Sequence, residues 1–378
     1  MVKNVEEKVH SLNRYAFMIH PLDVQDVTRK FKIAKFLPDN FVEGLLPYLP
    51  AIEAAKIEGP KVNHKEVEGW FVACPLTTRQ MMTLPEDQVI DKIIKTGLKA
   101  QKLGAQILGL GAFTSIVGDG GIKVAQALNI PVTTGNSYTV ATAVQSVFKA
   151  AKIMEVDFNR AKVVVVGATG SIGKVCTILL AREFSNLTLV AREENRLKAL
   201  ANQLMYETGL AVAWTTEPKS VLRQADIILT VTSSVDVIIE PEDLKPGAIV
   251  CDVSRPRDVS RRVYEERNDV LVIEGGVVEI PGEVNLNFNF GFPSKTSYAC
   301  MAETMILTLE GRFESFSLGR DISLSQVEEI KKLGDKYGFK VAGFRSFERA
   351  ISQEEIMRIK ERASYNKNHR KSTSWAVD

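Results

Sequence analysis

Residues 163–174 read VVVVGATGSIGK, and this stretch decides the fold class of the chain. The four valines predict a buried strand, and the glycines after them predict a tight turn that leads directly into a helix. Glycine at such a junction lets the backbone approach a pyrophosphate, while the helix N-terminus offers N–H donors and the positive end of its dipole. The spacing is G-x-x-G-x-x-G instead of G-x-G-x-x-G, so the prediction of a dinucleotide-binding loop depends on this strand–turn–helix context.

Further apolar runs follow this strand, at residues 187–191 (LTLVA), 226–231 (DIILTV), 248–252 (AIVCD) and 270–273 (VLVI). Continuous apolar runs that are separated by helical stretches are typical of parallel strands covered on both faces. The chain is therefore predicted to be α/β, with a Rossmann-type doubly wound parallel sheet over residues 158–275. We expect the cofactor to contact the glycine loop and the ends of two later strands, at Gly167, Thr169, Gly170, Ser171, Ile172, Gly173, Arg192 and Thr232.

The residue after the second strand indicates which dinucleotide binds. An NAD site places an acidic residue there, about 20 residues beyond the glycines, to bind the ribose hydroxyl. This chain has Arg192 instead, whose guanidinium suits a 2′-phosphate, with Arg196 or Lys198 as helpers. The sequence therefore predicts NADPH as the cofactor. The alternative, that Arg192 is only a solvated residue at a helix start, stays open.

Three segments lie outside the Rossmann domain. Residues 1–150 mix strand and helix patterns, and we predict that they form a mixed α/β substrate region. Residues 276–345 are predicted to be a helical C-terminal segment that joins the N-terminal region in one mixed α/β substrate domain built from N- and C-terminal segments. Residues 346–378 are predicted to be a polar, partly frayed extension.

Composition excludes several classes of protein. The chain has 378 residues, of which 45% are hydrophobic, and its 48 basic and 46 acidic side chains give a net charge of +2. These values are ordinary for a globular protein and argue against a nucleic-acid partner bound through phosphate neutralisation. The four cysteines and four histidines are scattered, without the spacing of a metal site, so no metal is expected.

The sequence also bears on location. The opening residues, MVKNVEEKVH, lack the apolar core of a signal peptide, and no apolar run reaches the roughly 20 residues that span a bilayer. We therefore expect a cytoplasmic protein without a transmembrane segment, and transient contact with a membrane stays open. The sequence does not predict an oligomeric state.

Six short blocks occur in a recognisable order: 110–116 (LGAFTSI), 133–136 (TTGN), 165–173 (VVGATGSIG), 275–279 (GGVVE), 298–303 (YACMAE) and 309–311 (LEG). Together they resemble the cyanobacterial-type long-chain fatty acyl-[acyl-carrier-protein] reductases, which form fatty aldehydes. The resemblance implies NADPH-dependent reduction of a long-chain acyl thioester to the aldehyde. It leaves the chain length open, and also whether the carrier is acyl carrier protein or coenzyme A.

Cys300 is the candidate catalytic residue. In the resembled family the cysteine of the YACMAE block is the acylated nucleophile, and this role carries over to Cys300. The residue pattern agrees, because a helix that opens near Ser297 would place Cys300 in its first turn, where the dipole and Lys295 favour a thiolate. Without the resemblance, the residue alone favours the other interpretation, that Cys300 is a small buried hydrophobe.

Three polar residues are candidates for contacts with the substrate. Ser115 and Asn136 lie in the two polar turns and are candidates for binding a developing oxyanion, as are backbone N–H groups at the helix start. Glu303, one turn beyond Cys300, would either move protons or bond to the backbone or Lys295. A basic cluster would either dock an acidic carrier or its phosphate or be a solvated loop: Arg255, Arg257, Arg261 and Arg262.

Two other functions stay open at this stage. The first is a shikimate- or amino-acid-type NAD(P) dehydrogenase that acts without covalent catalysis, and the second is a non-catalytic, regulatory NADP-binding protein. Residues 252–258 (DVSRPRD) also resemble a loop of the glutamyl-tRNA reductases. Those enzymes, however, carry their nucleophile near the N-terminus, and no cysteine precedes Cys74 here.

Overall fold

The computed structural model describes residues 12–234 and 236–373. Residues 1–11, on which the expected lack of a signal peptide rests, lie outside the described residues, as does the end of the predicted polar extension at 374–378. Within the described ranges, no helix combines the length and apolar character that crossing a membrane requires.

Up to residue 133 the strands and helices are β1 (Asn13–Ile19), α1 (Val24–Lys30), α2 (Asp39–Leu45), β2 (Ile52–Val62), β3 (Lys65–Ala73), α3 (Thr78–Thr83), α4 (Glu86–Lys102), β4 (Ile107–Leu110), α5 (Ile122–Ala127) and β5 (Val132–Thr133). Residues 134–279 form α6 (Asn136–Ile153), β6 (Lys162–Val166), α7 (Ser171–Leu180), β7 (Asn186–Val190), α8 (Glu194–Thr208), β8 (Ala213–Thr215), α9 (Lys219–Leu222), β9 (Ile227–Thr230), β10 (Ile249–Asp252), α10 (Arg261–Glu266), β11 (Leu271–Glu274) and β12 (Val277–Glu279). The remaining elements are β13 (Glu283–Asn285), β14 (Thr296–Tyr298), α11 (Ala299–Glu310), α12 (Leu324–Tyr337), β15 (Lys340–Val341), β16 (Arg345–Ser346), β17 (Arg349–Ala350) and α13 (Gln353–Thr373).

The chain divides into two compact units. The first unit contains the residues up to 133, 280–289 and 304–316, and the second contains 134–279, 290–303 and the residues from 317 onwards. The first unit is therefore assembled from N-terminal and C-terminal segments. The boundary at residue 133 lies inside the region 1–150, because α6 belongs to the second unit.

The second unit contains the predicted doubly wound sheet. Six parallel strands are arranged in the order β11-β10-β9-β6-β7-β8, so the chain starts in the middle at β6 and winds outward in both directions. The order reverses between β6 and β9, and in such sheets ligands bind at the carboxyl ends of the strands beside this reversal. The strand interiors are buried, and Val164, Ile228 and Val250 belong to one continuous apolar cluster. This topology confirms the predicted α/β Rossmann class.

The first unit has a mixed six-stranded sheet with the order β13-β2-β3-β1-β4-β5. Strands β3, β1, β4 and β5 are parallel, whereas β2 and β13 pair antiparallel at one edge. Its core is aromatic, with Phe17 and Phe71 buried and packed edge to face at 6.5 Å between ring centroids. The sequence patterns did not predict the eleven-residue strand β2.

Two segments differ from the sequence-based prediction. Residues 276–345 are not only helical, since β12, β14 and β15 form an antiparallel sheet there. Ser297 lies inside β14, so it does not cap the helix, which begins two residues later at Ala299. The predicted frayed extension contains the helix α13, which buries Ile356 and Ala363 and is ordered by that packing.

His20 connects the end of β1 to the loop after β4 inside the first unit. Its Nε2 accepts a hydrogen bond from the Phe113 N–H at 3.2 Å, and its Nδ1 lies 3.0 Å from the carbonyl oxygen of Pro21. Burial lowers the pKa of His20 from 6.5 to about 4. Protonation at Nε2 would break the bond from Phe113, so the neutral ring is the form that the fold requires.

We predict that His20 makes the stability of the fold depend on pH. Because its folded pKa lies below its unfolded pKa, the unfolded chain takes up the proton first as the pH falls from 6.5 towards 4. The free energy of unfolding should fall by about 1–2 kcal/mol more in the wild type than in His20→Gln over this range, after allowance for partial exposure of the ring. Urea denaturation at pH 7.5 and pH 4.5 measures the difference. Equal pH dependence in the two proteins would contradict it.

Candidate functional site

The glycine loop lies at the end of β6, beside the reversal of strand order. Gly167 has a φ of 82°, and a Cβ there would meet the Val231 carbonyl oxygen at 2.4 Å. A Cβ at Gly173 would meet the carbonyl oxygen of Gly167 at 2.1 Å. The packing of the loop and α7 itself therefore requires glycine at these two positions.

Gly170 differs from these two glycines. Its backbone is extended, with φ −72° and ψ 164°, which any residue adopts, and the nearest atom to an added Cβ is the Gly167 oxygen at 3.3 Å. The residue is exposed, and no side chain caps the N-terminus of α7. The chain itself restricts this position only through that one tight contact, and glycine here leaves the backbone open to a pyrophosphate. The loop therefore fits the phosphates of a dinucleotide.

The other residues predicted for the cofactor surround this opening. Thr169, Ser171 and Ile172 are half-buried in the loop and the first turn of α7. Thr232 is beside the loop, because an added Cβ on Gly167 would lie 3.2 Å from its Cγ2. The structure thus gathers these residues at one edge of the sheet.

Arg192 follows β7 at the same edge and is exposed, and it makes no ion pair within the described residues. Arg196 donates to the carbonyl oxygen of Thr169 at 2.9 Å, so it contacts the loop directly. Lys198 is occupied by Glu194, at 2.7 Å. Arg196 also faces Glu193 at 3.4 Å, so of the three basic residues predicted for the cofactor Arg192 is the one without an ion pair in the described part of the chain.

A buried carboxylate that the sequence did not single out organises the ends of β9 and β10. Asp258 accepts hydrogen bonds from the hydroxyls of Thr232 and Ser254, at 2.6 Å and 2.5 Å, and from that of Thr230. Burial raises the pKa of the neighbouring Asp252 to about 7. The signal in the sequence was the polar stretch DVSRPRD directly after a buried strand.

The basic cluster of this loop is largely paired with the chain's own carboxylates. Arg257 binds Glu274 at 2.8 Å, and Arg262 binds Glu266 at 2.8 Å. Arg261 faces Glu265 at 3.3 Å. Ion pairs within the chain therefore neutralise most of the positive charge of this cluster. Little charge is left to bind an acidic carrier.

Arg255 is the exception in this cluster, because it packs towards the segment that carries Cys300. Its guanidinium lies 5.4 Å from the ring centroid of Tyr298, two residues before Cys300, and donates to the carbonyl oxygen of Ser254 at 2.7 Å. Glu274 is 3.8 Å away, too far for a hydrogen bond. Its charge is thus placed beside the nucleophile candidate.

Cys300 is the second residue of α11 and is partly exposed, whereas Cys74, Cys176 and Cys251 are buried. Burial raises the pKa of the Cys300 thiol to about 12, and the Met301 N–H and the charge of Arg255 only partly oppose this effect. The backbone N–H groups at the helix start favour the thiolate, as expected, but burial of the sulfur opposes them. Lys295 is exposed and does not change this balance.

The TTGN turn packs directly against Cys300. Gly135 has a φ of 74°, and a Cβ there would lie 2.2 Å from the Cα of Cys300 and 2.3 Å from its Cβ. Only glycine allows this approach. Asn136, the next residue, begins α6 and is buried, so one predicted oxyanion donor lies next to a residue that contacts Cys300.

Glu303 binds backbone, which was one of its two predicted roles. Its Oε2 accepts the Tyr138 N–H at 2.7 Å, and its Oε1 accepts the hydroxyl of Ser317 at 2.8 Å. Ser317 Oγ in turn accepts the Ser137 N–H at 3.2 Å. Because Gly135 provides no side-chain cap, Glu303 and Ser317 satisfy the first N–H groups of α6 from elsewhere in the chain.

Ser115 belongs to the first unit, in the 3-10 turn Ala112–Ser115. Its hydroxyl donates to the carbonyl oxygen of Ala112 at 2.7 Å, so its hydrogen is already engaged. In the described part of the chain, no cluster of three or more histidine, cysteine or acidic side chains is arranged to hold a metal ion.

Comparisons with known proteins agree on a nicotinamide-dependent oxidoreductase. Residues 149–274 match the family model of the shikimate/quinate 5-dehydrogenases. The chain is 31% identical over 303 residues to the long-chain acyl-[acyl-carrier-protein] reductase of Synechococcus elongatus, which covers 76% of this chain and 85% of that protein. The family-model match lies within the second unit and supports a nicotinamide-dinucleotide-binding fold there.

Two further relatives share shorter or more distant similarity. The aminotransferase PigE of a Serratia species is 29% identical over 361 residues, which are 92% of this chain but only 42% of PigE, so the chain spans less than half of that protein. A glutamyl-tRNA reductase of Cyanophora paradoxa is 23% identical over 280 residues, covering 72% of this chain and 60% of that protein.

We predict that Gly170→Val abolishes dinucleotide binding without unfolding the chain. The added side chain would fill the opening before α7 and displace the pyrophosphate, while the backbone conformation tolerates valine. Gly343→Val is the matched control, because no atom lies within 4 Å of a Cβ there. Fluorescence titration with NADPH measures both variants, and circular dichroism checks the fold. Unchanged affinity in folded Gly170→Val would remove the loop from the cofactor site.

Proposed function

The chain belongs to the family of the long-chain acyl-[acyl-carrier-protein] reductases, and on this premise we propose that it reduces an acyl thioester to the aldehyde with NADPH through an acyl intermediate on Cys300. The observation that carries the proposal is the position of Cys300. It is the partly exposed cysteine among the four, it lies in the first turn of a helix, and Arg255 and the Gly135 turn adjoin it.

The proposed chemistry begins at the sulfur of Cys300. The sulfur adds to the carbonyl carbon of the thioester, the bond to the carrier thiol breaks, and that thiol leaves with the proton that Cys300 gave up. When bound, NADPH would supply the hydride that adds to the acyl carbon, and the resulting alkoxide would take up a proton from solvent to give a thiohemiacetal on Cys300. The bond from carbon to the Cys300 sulfur then breaks, which releases the aldehyde and returns a proton to the sulfur.

The pKa of about 12 constrains this first step. At neutral pH the free thiol is almost entirely protonated, so the attack must be coupled to transfer of its proton to the leaving carrier thiol. The Met301 N–H and the guanidinium of Arg255 lower the pKa of the thiol, and therefore stabilise negative charge on the sulfur as the proton leaves. A protonated resting thiol also protects Cys300 against oxidation between turnovers.

For the oxyanion of the tetrahedral intermediate we propose Asn136 and the backbone N–H groups at the start of α11. Asn136 follows the glycine that contacts Cys300 and belongs to the same unit. Ser115 is the weaker candidate, because its hydroxyl already donates to Ala112. Glu303 acts as a positioning residue in this scheme, since both its oxygens hold the start of α6.

A shikimate-type dehydrogenase is the second candidate function, favoured by the family model that matches residues 149–274. That match covers the nucleotide-binding part of the chain, which such enzymes share with thioester reductases. The two functions differ in one respect that can be measured. A dehydrogenase that acts directly on a C–OH or C–N carbon forms no covalent adduct, whereas the proposed reductase forms one on Cys300.

We predict that Cys300→Ser lowers aldehyde formation at least about 1000-fold and leaves NADPH affinity unchanged, since a serine hydroxyl is a much weaker nucleophile than a thiol. Intact-mass spectrometry of the wild type, mixed with an acyl thioester without NADPH, should show one acyl adduct that Cys300→Ser lacks. The matched control is Cys74→Ala, which removes a buried cysteine and should keep the adduct. An adduct on Cys300→Ser, or full aldehyde formation by it, would contradict covalent catalysis by Cys300.

Arg192 should determine the choice of cofactor. Reversal of its charge in Arg192→Glu removes a charge-assisted bond to the 2′-phosphate and adds repulsion, so the Kd for NADPH should rise about 10- to 100-fold while that for NADH changes little. Isothermal titration with both cofactors measures this. Lys198→Glu is a control, because Lys198 is already paired with Glu194. Equal NADPH affinity in wild type and Arg192→Glu would exclude a role for Arg192.

A further inference from the structure

Residues 31–49, called segment 31–49 below, carry an unusual concentration of exposed apolar side chains. Of the twenty large hydrophobic residues that are exposed in the described part of the chain, eight lie in this segment: Phe31, Ile33, Phe36, Leu37, Phe41, Leu45, Tyr48 and Leu49. Three are almost fully exposed, with Ile33 at 82%, Phe36 at 89% and Tyr48 at 84%. A large group of exposed apolar side chains is typical of a surface that binds a protein or a membrane.

The segment has regular secondary structure, so the exposure of its apolar side chains does not come from an unfolded stretch of chain. Val42 in α2 and Leu46 directly after it are buried, while Phe41 and Leu45 face solvent. Glu43 is buried and accepts a hydrogen bond from the hydroxyl of Thr77 at 2.7 Å. These contacts hold one face of the segment on the first unit and leave the other face apolar.

Lys92 fixes the end of the segment. Its Nζ donates to the carbonyl oxygens of Pro47 and Leu49, each at 2.6 Å. In the 3-10 helix Lys32–Phe36, side chains three residues apart lie on the same side, so Ile33 and Phe36 extend together from the surface. The apolar groups are thus presented on short, anchored helical turns.

The charge of the segment indicates what covers this surface. Between residues 28 and 38 the sequence TRKFKIAKFLP contains four basic residues and no acidic one. Arg29 pairs with Asp26 at 3.2 Å and Lys30 lies over the ring of Phe288, whereas Lys35 makes no ion pair within the described residues. Basic residues that alternate with exposed aromatic and aliphatic side chains are typical of segments that lie in the interface of an anionic bilayer.

We propose that segment 31–49 binds the surface of an anionic lipid bilayer, with Ile33, Phe36 and Tyr48 inserted among the acyl chains and Lys35 at the headgroups. A second copy of the chain fits this surface less well, because lysine is depleted in the cores of protein interfaces and here alternates with the apolar residues. The proposal rests on segment 31–49 alone and is independent of the chemistry at Cys300.

The test is flotation of the full-length protein with two kinds of vesicle, phosphatidylcholine alone and phosphatidylcholine with about one third phosphatidylglycerol. The wild type should float with the anionic vesicles, and high salt should weaken its binding. The double substitution Ile33→Asp with Phe36→Asp should lower the partition coefficient at least about tenfold, and Lys35→Glu should lower it about tenfold on anionic vesicles only.

The matched control is the double substitution Met205→Asp with Tyr206→Asp in α8, because both residues are exposed apolar side chains outside the segment. It should bind vesicles like the wild type. Thermal unfolding should be the same for all variants, since each replaced apolar side chain is largely solvated. No flotation of the wild type, or equal loss in the α8 variant, would overturn the proposal. So would a dimer, detected by light scattering, that the Ile33 and Phe36 substitutions dissociate while vesicle binding is absent.

Discussion

The buried carboxylate of Glu303 holds together the part of the second unit in which Cys300 lies. It accepts the Tyr138 N–H and the Ser317 hydroxyl, and so it closes the open end of α6 from the second turn of α11. A buried carboxylate is tolerated only when its oxygens are hydrogen-bonded, and a buried helix start only when its N–H groups have partners. Each group thus satisfies the other's requirement, and the pair fixes Gly135 against the Cα of Cys300.

The dinucleotide loop contains two kinds of glycine. Gly167 and Gly173 are required by the backbone atoms around them, and a larger residue at either position would collide with a carbonyl oxygen of the chain itself. An added Cβ at Gly170 would meet one atom, the Gly167 oxygen at 3.3 Å, so the chain itself restricts this position less than the other two. The packing of the loop and its binding surface are therefore carried by different residues, although all three belong to one motif.

Burial has the largest effect on the pKa of the Cys300 thiol. A helix start and a nearby guanidinium both favour a thiolate, yet burial of the sulfur raises its pKa to about 12. In the proposed mechanism the thiol therefore passes its proton to the bound substrate as the sulfur attacks. Reactivity would then depend on the bound thioester, which agrees with the proposed exchange between two thiols.

The sequence by itself determined the Rossmann class, the glycine loop and the family, because these depend on local order: apolar runs, turn glycines and short blocks read along the chain. Helical spacing of apolar residues also predicts helices over residues 86–103, 137–154 and 323–337, and α4, α6 and α12 match them to within a residue or two. Neither β2 nor the membership of α6 in the second unit was predicted, because both depend on partners distant in sequence.

Ser297 lies in a strand instead of capping a helix because β12 pairs with it, and Glu303 binds the backbone of residue 138 because folding brings α11 to the start of α6. Only the tertiary structure decided these roles, along with the pKa of Cys300, because capping, pairing and desolvation are set by atoms that are far apart in the sequence and adjacent in space.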